Sequence, residues 1–367
     1  MTTEPHRTLY NFSPGPAILP RSVLEAASQA ILNFNGSGLS VLEVSHRGKE
    51  YEPVHDQTQK DLLALMGLSS DEYGVIFMGG GASTQFAVVP MNFLTPDGRA
   101  EYVNTGEWAS RAIVEARRFG GVEVVASSED ANFNYIPRNP AFHADARYIH
   151  LTSNNTIFGT AWHQFPETPA GVPLICDMSS DFLAYPMDFS KFDLIYAGAQ
   201  KNAGPAGVTI MVIRKSYAER ANKNIPTMFS YPVHLKNNAM YNTPPVFSIF
   251  VVGLVMQWLK GLGGLTAIEA INRKKAETLY SALDSMPQVF KPTVPNPADR
   301  SWMNVPFRLI DPVLEAKFLK EADAAGFVGL KGHRSVGGCR ASIYNAFPQE
   351  GVEAFVAFMK AFAQRNA

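Results

Sequence analysis

The sequence predicts an α/β fold, with a large domain on a mostly parallel, seven-stranded sheet and a smaller α+β domain towards the carboxyl terminus. Two observations predict it. Seven short β-rich runs alternate with helical patterns up to about residue 260, and the pattern then changes to long helices with few strands. Several runs are continuously apolar, as in strands covered on both faces. Alternation of strand and helix is typical of a parallel sheet with helices on both sides.

The elements of the large domain follow from these runs. The strand candidates are Gly74–Met78, Glu101–Asn104, Val122–Val125, Tyr148–Thr152, Leu174–Cys176, Asp193–Tyr196 and Val208–Ile213. Helical candidates between them include Ser83–Leu94 and Trp108–Phe119. The most apolar segment, Val246–Leu259, has 14 residues. It is too short to cross a bilayer and predicts a buried helix.

The chain after residue 260 predicts the smaller domain. Thr266 and Glu269 have the spacing of a capping box at the start of a long helix. Strand candidates are Met303–Leu309 and Ala341–Tyr344. A final helix places five apolar residues on one face, namely Val352, Phe355, Val356, Met359 and Phe362. We expect a large domain at 16–260, a small domain at 261–367 that includes the N-terminal segment 1–15, and a joint at Lys260 to Leu265.

Composition narrows the class of protein. The chain has 367 residues, 46% hydrophobic, with a net charge of −1, so nothing in the total favours nucleic acid or an anionic membrane as partner. Cys176 and Cys339 give no disulfide framework and no metal-ligand spacing, so we expect no metal. The N-terminus has no long apolar stretch. A cytoplasmic protein is the expectation.

Lys201 lies in the stretch "YAGAQKNAGPAG", between two apolar runs. A lysine at a strand end is compatible with a surface turn, or with an amine that forms a Schiff base with a carbonyl compound. Small residues on both sides would let a flat cofactor approach the backbone. Pyridoxal phosphate would also require a carboxylate for its ring nitrogen, a cradle for its phosphate and a flat group over its ring.

Candidates for these partners occur upstream of Lys201. Asp177 follows an apolar strand candidate and either serves a ring nitrogen or caps a turn. Gly79 to Ser83, "GGGAS", open a helical pattern whose free amides suit a phosphate, although the spacing is neither that of a dinucleotide site nor that of a P-loop. Trp108 is compatible with stacking or with core packing, and Thr156 with a ring contact or an ordinary turn.

Anion-binding candidates lie in two further motifs. "VSHRGKEY" carries Arg47, and "KGHRSVGGCRASIYNAF" carries His333, Arg334 and Arg340 among small residues. Arginine pairs with carboxylate and phosphate in bidentate geometry. Together these groups indicate a substrate with more than one negative group.

These motifs jointly resemble the phosphoserine aminotransferases, a family of class V, fold type I enzymes that use pyridoxal phosphate. The resemblance covers nearly the whole chain, and its most specific blocks are "YAGAQKNAGPAGVT" and "KGHRSVGGCRASIYNA". It implies reversible transamination of 3-phosphohydroxypyruvate with L-glutamate, giving O-phospho-L-serine and 2-oxoglutarate, in serine biosynthesis. Some bacterial members also aminate a phosphorylated four-carbon keto acid of vitamin B6 biosynthesis, which the sequence leaves open here.

The resemblance also assigns roles to matched positions. Lys201 is implied as the Schiff-base lysine and proton shuttle, and Asp177 as the partner of the pyridinium nitrogen. Trp108 would stack on the cofactor ring, and Thr156 would contact the region of the ring hydroxyl.

The remaining implied roles concern phosphate and substrate. The cofactor phosphate would be held by Ala82, Ser83 and Gln200, joined by Asn242 and Thr243 from the second subunit of a homodimer. The anionic groups of the substrate would be bound by Arg340 and Arg47, with Arg334 and a protonated His333 at the substrate phosphate. Some members of the family carry an arginine just after the triple glycine, where this chain has Ala82 and Ser83.

Two alternatives remain. Another class V aminotransferase, such as an alanine–glyoxylate type, is disfavoured by the number of cationic groups in the "KGHRSVGGCR" block. A non-catalytic protein that binds a phosphate ligand or nucleotide would lack the yellow colour of a lysine-linked cofactor and its bleaching by glutamate.

Overall fold

The computed structural model describes residues 9–366. The strands are β1 Tyr10–Asn11, β2 Tyr73–Met78, β3 Arg99–Asn104, β4 Gly121–Ser127, β5 Ile149–Thr152, β6 Leu174–Asp177, β7 Leu194–Gly198, β8 Thr209–Arg214, β9 Phe290–Pro292, β10 Asn304–Leu309, β11 Phe327–Val328 and β12 Cys339–Ser342. The α-helices are α1 Arg21–Leu32, α2 Glu52–Met66, α3 Gly81–Phe93, α4 Glu107–Ala116, α5 Lys215–Ala218, α6 Tyr231–Lys236, α7 Val246–Gly261, α8 Gly264–Asp284, α9 Pro312–Ala325 and α10 Gln349–Asn366.

A seven-stranded sheet forms the centre of the fold, in the order β2-β8-β7-β6-β5-β3-β4. The pairs from β7 through β6, β5 and β3 to β4 are parallel. Only β8 runs antiparallel to its neighbours β2 and β7. The predicted seven-stranded, mostly parallel sheet is confirmed, and each of its strands overlaps a predicted run.

Both faces of this sheet are buried, which explains the continuous apolar runs. In β2, Val75 and Phe77 pack with Val252 of α7 in one core. Ile76 points to the opposite face and packs with Phe86 of α3 in another. Because successive side chains of a strand alternate between faces, a strand covered twice requires apolar residues at every position.

The junction between α7 and α8 corrects one local prediction. Gly263, with φ of 104°, is the N-cap of α8, and the cap forms no side-chain hydrogen bond. Thr266 therefore lies inside the helix, and the predicted capping box with Glu269 is wrong. The chain turns instead through two glycines with left-handed φ, which cost a glycine little. Among the described helices, none alone is long and apolar enough to cross a membrane, although the bent pair α7–α8, at 84°, passes the same test jointly.

A second core lies under the C-terminal elements. β9, β10 and β12 form an antiparallel sheet, and β1 pairs with β11. Phe12 belongs to this core together with apolar residues of α8, α9 and α10. On α10 the predicted apolar face is buried, with Val356 half-buried. Since α8 contributes to the core of the large sheet as well as to this second core, the domain boundary at 260/261 stays a prediction.

Candidate active site

A cavity of about 220 Å³ lies at one edge of the large sheet. Its lining comes from the turns that follow β2, β3, β5, β6 and β7, whose carboxyl ends meet at this edge. In open α/β sheets, this is the edge at which ligands bind. The lining residues are Gly80, Gly81, Ala82, Ser83, Trp108, Thr152, Asn154, Asp177, Ser179, Ser180, Gln200 and Lys201.

Lys201 follows β7 and projects its amine into this site. The Nζ donates a hydrogen bond of 2.7 Å to Oγ1 of Thr156 and lies 5.6 Å from the centre of the Trp108 ring. Burial lowers the pKa of Lys201 to about 8. The charge of Asp177 raises this pKa, and the charge of Arg340 lowers it. The amine is therefore far easier to deprotonate than an ordinary surface lysine.

Asp177 ends β6 beside this amine and is buried. Its Oδ1 accepts two bonds from Ser179, one from the backbone N–H at 2.9 Å and one from Oγ at 2.6 Å. Burial raises the pKa of Asp177, while the Ser179 bond and the Lys201 charge lower it. Because Ser179 takes Oδ1, Oδ2 is left for a donor in the cavity. Asp177 therefore shapes a turn, as one interpretation predicts, and because it also lines the cavity, its role at a ring nitrogen stays a prediction.

The turn after β2 forms a cradle of backbone amides. Gly80 is the N-cap of α3 with φ of 91°, and a Cβ there would lie 1.9 Å from Oγ1 of Thr84. Only glycine fits this position. The first turn of α3 carries no acidic residue, and Ala82 and Ser83 line the cavity. Free amides, the Ser83 hydroxyl and the helix dipole suit a phosphate without a local arginine.

Buried polar atoms without a partner mark the interior of the site. Within residues 9–366, Nε1 of Trp108 and Oγ1 of Thr152 have no hydrogen-bond partner. Leaving a buried polar atom unsatisfied costs about 1–3 kcal/mol. Such atoms in the lining of a cavity are expected where a bound ligand completes the site.

Arg340 lies on β12 and brings a buried positive charge to the site. Its side chain is buried, and its Nη1 donates a hydrogen bond of 3.3 Å to the Thr156 carbonyl. Its Nε has no partner among the described residues, and no described carboxylate lies within ion-pair distance of it. Burial lowers the pKa of Arg340. A buried cation without an anion is costly, which indicates that an anionic ligand supplies the missing partner.

His333 and Arg334 lie on the loop that precedes β12. Val336 of this loop and Trp108 of the cavity lining both pack against the cluster of Phe133, Ile157 and Phe158, which brings the loop near the cavity. Partial burial lowers the pKa of His333, and the charges of Arg340 and Arg334 lower it further. The expectation of a protonated His333 concerns the site with a substrate phosphate bound and stays a prediction, whereas in the ligand-free protein these effects oppose protonation. Arg334 is exposed.

Three predicted site residues lie together elsewhere. Asn242 and Thr243 are exposed and follow α6, and a guanidinium nitrogen of Arg47 bonds the Met240 carbonyl at 3.4 Å. Arg47 is thus attached to the segment that carries Asn242 and Thr243. None of the three lines the described cavity.

Sequence reasoning missed Ser179 and Asp181. Oγ of Ser179 joins two strands, since it donates to Asp177 and accepts from the Gly198 N–H at 3.0 Å. Asp181 bonds Ser153 and Tyr185, and burial raises its pKa to about 7. A serine two residues after an aspartate at a strand end is typical of an Asx turn, so the "DMS" pattern could have identified Ser179.

One further cluster of ligand-type side chains lies outside the cavity. Glu101, Glu123 and His143 bring oxygen and nitrogen atoms within 4.8 Å of one another. Arg99 forms ion pairs with both glutamates. Because Arg99 and His143 already pair with these carboxylates, we interpret the cluster as an ion-pair network.

Comparisons with known proteins agree with this geometry. A family model described as Aminotransferase class-V matches residues 9–355. The phosphoserine aminotransferase of Nitrosomonas europaea is 50% identical, over 98% of this chain and 100% of its own length. A structure of the enzyme from Bacillus circulans subsp. alkalophilus has a TM-score of 0.95 and 48% identity, covering 98% of this chain and 99% of that one. A structure described as pyridoxal phosphate-bound phosphoserine aminotransferase from Trichomonas vaginalis has a TM-score of 0.90 and 39% identity, covering 96% and 99%. This chain belongs to the class-V aminotransferase family.

Proposed function

We propose that this chain is a pyridoxal phosphate-dependent enzyme of serine biosynthesis that transfers the amino group of L-glutamate to 3-phosphohydroxypyruvate. The products are O-phospho-L-serine and 2-oxoglutarate, and the reaction is reversible. The observation that carries the proposal is the buried Arg340, whose charge has no described anion and which contacts the same Thr156 that accepts the Lys201 hydrogen bond. A substrate with an α-carboxylate supplies that anion.

The residues of the cavity fit pyridoxal phosphate. The cradle from Gly80 to Ser83 suits the phosphate, joined by Gln200 in the lining. Trp108 offers a flat surface, and the free Oδ2 of Asp177 suits the protonated ring nitrogen. Pyridoxal phosphate, when bound, supplies an electron-withdrawing ring that stabilises the negative charge left when the substrate Cα loses a proton.

Lys201 is the proposed nucleophile and proton carrier. Because its pKa is lowered to about 8, a useful fraction of the amine is neutral near neutral pH. The neutral Nζ accepts the proton from Cα of glutamate in the first half-reaction. In the second half-reaction it returns a proton to Cα of the amino product. The Thr156 hydroxyl holds Nζ at 2.7 Å before substrate enters.

The substrates share one anionic end and differ at the other. We propose that Arg340 binds the α-carboxylate that both carry, because its guanidinium is buried and fixed by the Thr156 carbonyl. Arg334 and His333 are proposed to bind the far end, where glutamate has a carboxylate and the phosphorylated keto acid has a phosphate. A small keto acid with no second anionic group would leave the Arg334 charge unpaired.

We also propose a homodimer in which each site is completed by the neighbouring subunit. Asn242 and Thr243 are exposed and do not line the described cavity of their own chain, which supports their reaching the cofactor phosphate of the partner subunit. Since Arg47 bonds the carbonyl of Met240, it would enter the partner's site with them.

The direct test is the reaction of the purified protein loaded with pyridoxal phosphate. We expect 2-oxoglutarate to form from glutamate with 3-phosphohydroxypyruvate as acceptor, and much less with glyoxylate at the same concentration. Equal turnover with both acceptors would favour the alanine–glyoxylate type. No bleaching of the visible cofactor band by glutamate would contradict transamination altogether.

Subunit mixing tests the shared site. Lys201→Ala is expected to be inactive, and the double variant Asn242→Ala, Thr243→Ala to bind the cofactor weakly. In a hybrid dimer of the two, one site combines an intact Lys201 with an intact Asn242 and Thr243 from the other subunit. Mixing should therefore restore turnover that neither variant shows alone. Failure of exchanged subunits to regain activity would place all these residues in one subunit's site.

The location proposed from the sequence is the cytoplasm. Cys176 and Cys339 are both free and buried. Free thiols in a folded chain support a reducing compartment.

A further inference from the structure

Lys275 of α8 is fully buried outside the cavity. Its side chain is 0% exposed, and its Nζ donates to the carbonyls of Tyr344 at 2.6 Å and Asn345 at 3.4 Å. Within residues 9–366 it forms no ion pair. Burying an amine without a carboxylate is unfavourable, and a methionine would fill the same space with no polar group. The hydrogen bonds of the amine to the carbonyls of residues 344 and 345 are therefore what distinguishes Lys275 from an apolar packing residue.

Those two carbonyls belong to a turn that contacts Asn202, the neighbour of Lys201 in the chain. The N–H of Asn345 donates a 3.0 Å hydrogen bond to Oδ1 of Asn202, the residue that directly follows Lys201 in the chain. Asn202 is itself buried. A continuous set of contacts thus runs from the Lys275 amine through the backbone of Asn345 to the residue bonded to Lys201.

The same turn is fixed from its other side. Asn272, three residues before Lys275 on α8, donates to Oδ1 of Asn345 at 2.8 Å and to the Ala184 carbonyl at 2.9 Å. The side chain of Asn345 donates to the Leu183 carbonyl at 3.0 Å. Asn345 is therefore held on several sides, and Lys275 fixes the Tyr344 carbonyl at 2.6 Å, which belongs to the same peptide group as the Asn345 N–H that bonds Asn202.

We infer that Lys275 is a positioning residue for proton transfer at Lys201, acting through the Asn345–Asn202 hydrogen bond. This inference rests on the proposed function, because it assigns Lys275 to the transamination step in which Lys201 carries the proton. Burial lowers the pKa of Lys275 to about 7. The neutral amine still has two N–H groups and the ammonium has three, so either form can donate to both carbonyls.

The test compares Lys275→Met with Lys274→Met. Lys274 is the exposed neighbour on the same helix, so its variant controls for the loss of a lysine from α8. In single-turnover experiments with glutamate on the cofactor-loaded enzyme, Lys275→Met should slow the maximum rate about tenfold or more, since small misplacements of catalytic groups are costly. The half-saturating glutamate concentration should change by less than about threefold, because an interaction that acts on the proton transfer leaves binding intact.

A second readout does not depend on the reaction. In the cofactor-free protein, the pKa of Lys201 can be followed by NMR of ¹³C-labelled lysine side chains. Lys275→Met should raise this pKa from about 8 towards the ordinary lysine value, because a loosened turn admits water to the amine. Lys274→Met should leave it unchanged. If the wild type showed no transamination, the proposed function would fail, while this titration would still decide the role of Lys275.

A double-mutant cycle tests the route. Asn202→Ala removes the acceptor for the Asn345 N–H while leaving Lys275 intact, and it carries the test alone if Lys275→Met does not fold. We expect Asn202→Ala to slow the half-reaction similarly, and the double variant to be no slower than either single variant. Multiplied losses in the double variant would overturn the inference, as would a rate and a Lys201 pKa in Lys275→Met equal to those of Lys274→Met.

Discussion

Replacing Arg340 and Arg334 separately tests how the site divides the anionic groups of its two substrates. Glutamate and 3-phosphohydroxypyruvate share the α-carboxylate, so removal of the residue that binds it should impair both half-reactions. Removal of the residue that binds the far end should impair the phosphorylated substrate more. We therefore expect Arg340→Met to penalise both substrates and Arg334→Met to penalise 3-phosphohydroxypyruvate more than glutamate.

The size of each effect follows from burial. A hydrogen bond to a charged group contributes about 1.5–3 kcal/mol, or roughly ten- to hundredfold in catalytic efficiency. Arg340 is 6% exposed, so its loss should lie near the upper end. Arg334 is exposed, and solvent weakens its interaction, so its loss should lie near the lower end.

The assay is stopped-flow observation of each half-reaction by the visible absorption of the cofactor. Lys331→Met serves as the control, because Lys331 is an exposed cation on the same loop and should leave both rates near wild type. Arg340→Met has a second readout, since Arg340 lowers the pKa of Lys201. That pKa should rise in the variant.

Equal losses for both substrates in Arg334→Met would refute the assignment of the phosphate to this loop. An effect of Lys331→Met as large as that of Arg334→Met would show that net charge, rather than a placed guanidinium, determines the rates. If Arg340→Met slowed the half-reaction of only one substrate, Arg340 would not be the residue that binds the α-carboxylate shared by both.

Three further variants test the catalytic groups and the pH dependence. Lys201→Ala should fold and bind cofactor but lose the lysine-linked absorption band and turnover, measured by spectrum and assay; near-normal turnover would contradict its role. Asp177→Asn removes a charge that raises the pKa of Lys201, so NMR of the cofactor-free protein should show that pKa below about 8. The activation barrier of the glutamate half-reaction should rise by about 4 kcal/mol or more, so this half-reaction should slow. Burial and the nearby charges of Arg340 and Arg334 lower the pKa of His333, so a bound phosphate should raise it again; calorimetry of phosphoserine binding should therefore show proton uptake that His333→Gln lacks, and binding should strengthen as pH falls through the range between the free and bound pKa values.

The large sheet was predictable because burial on both faces leaves a local signal. Every residue of β6 and β7 is buried, so the two strands read as continuous apolar runs. The end of such a strand is also visible in the sequence, which is why Asp177 and Lys201 could be chosen as candidates. Which turns meet at one edge then follows from the parallel order of strands.

Contacts between distant segments left no comparable signal. Lys275 resembles any lysine of an amphipathic helix, and only the packing of α8 against residues 344 and 345 reveals that it is buried. Burial and the nearby Arg340 lower the pKa of His333, an effect that depends on how the loop is folded, and α8 begins after Gly263 rather than at the Thr266 pattern. In each case the decisive neighbour is set by the fold or by backbone conformation.

The charges around Lys201 suggest why its amine stays easy to deprotonate throughout the proposed cycle. In the ligand-free site, Asp177 raises the pKa of Lys201 and Arg340 lowers it, while burial has the largest effect. A ring nitrogen bound to Asp177 would neutralise the first influence, and a substrate carboxylate bound to Arg340 would neutralise the second. The two ligands thus remove contributions of opposite sign, and burial, which neither removes, continues to favour the neutral amine.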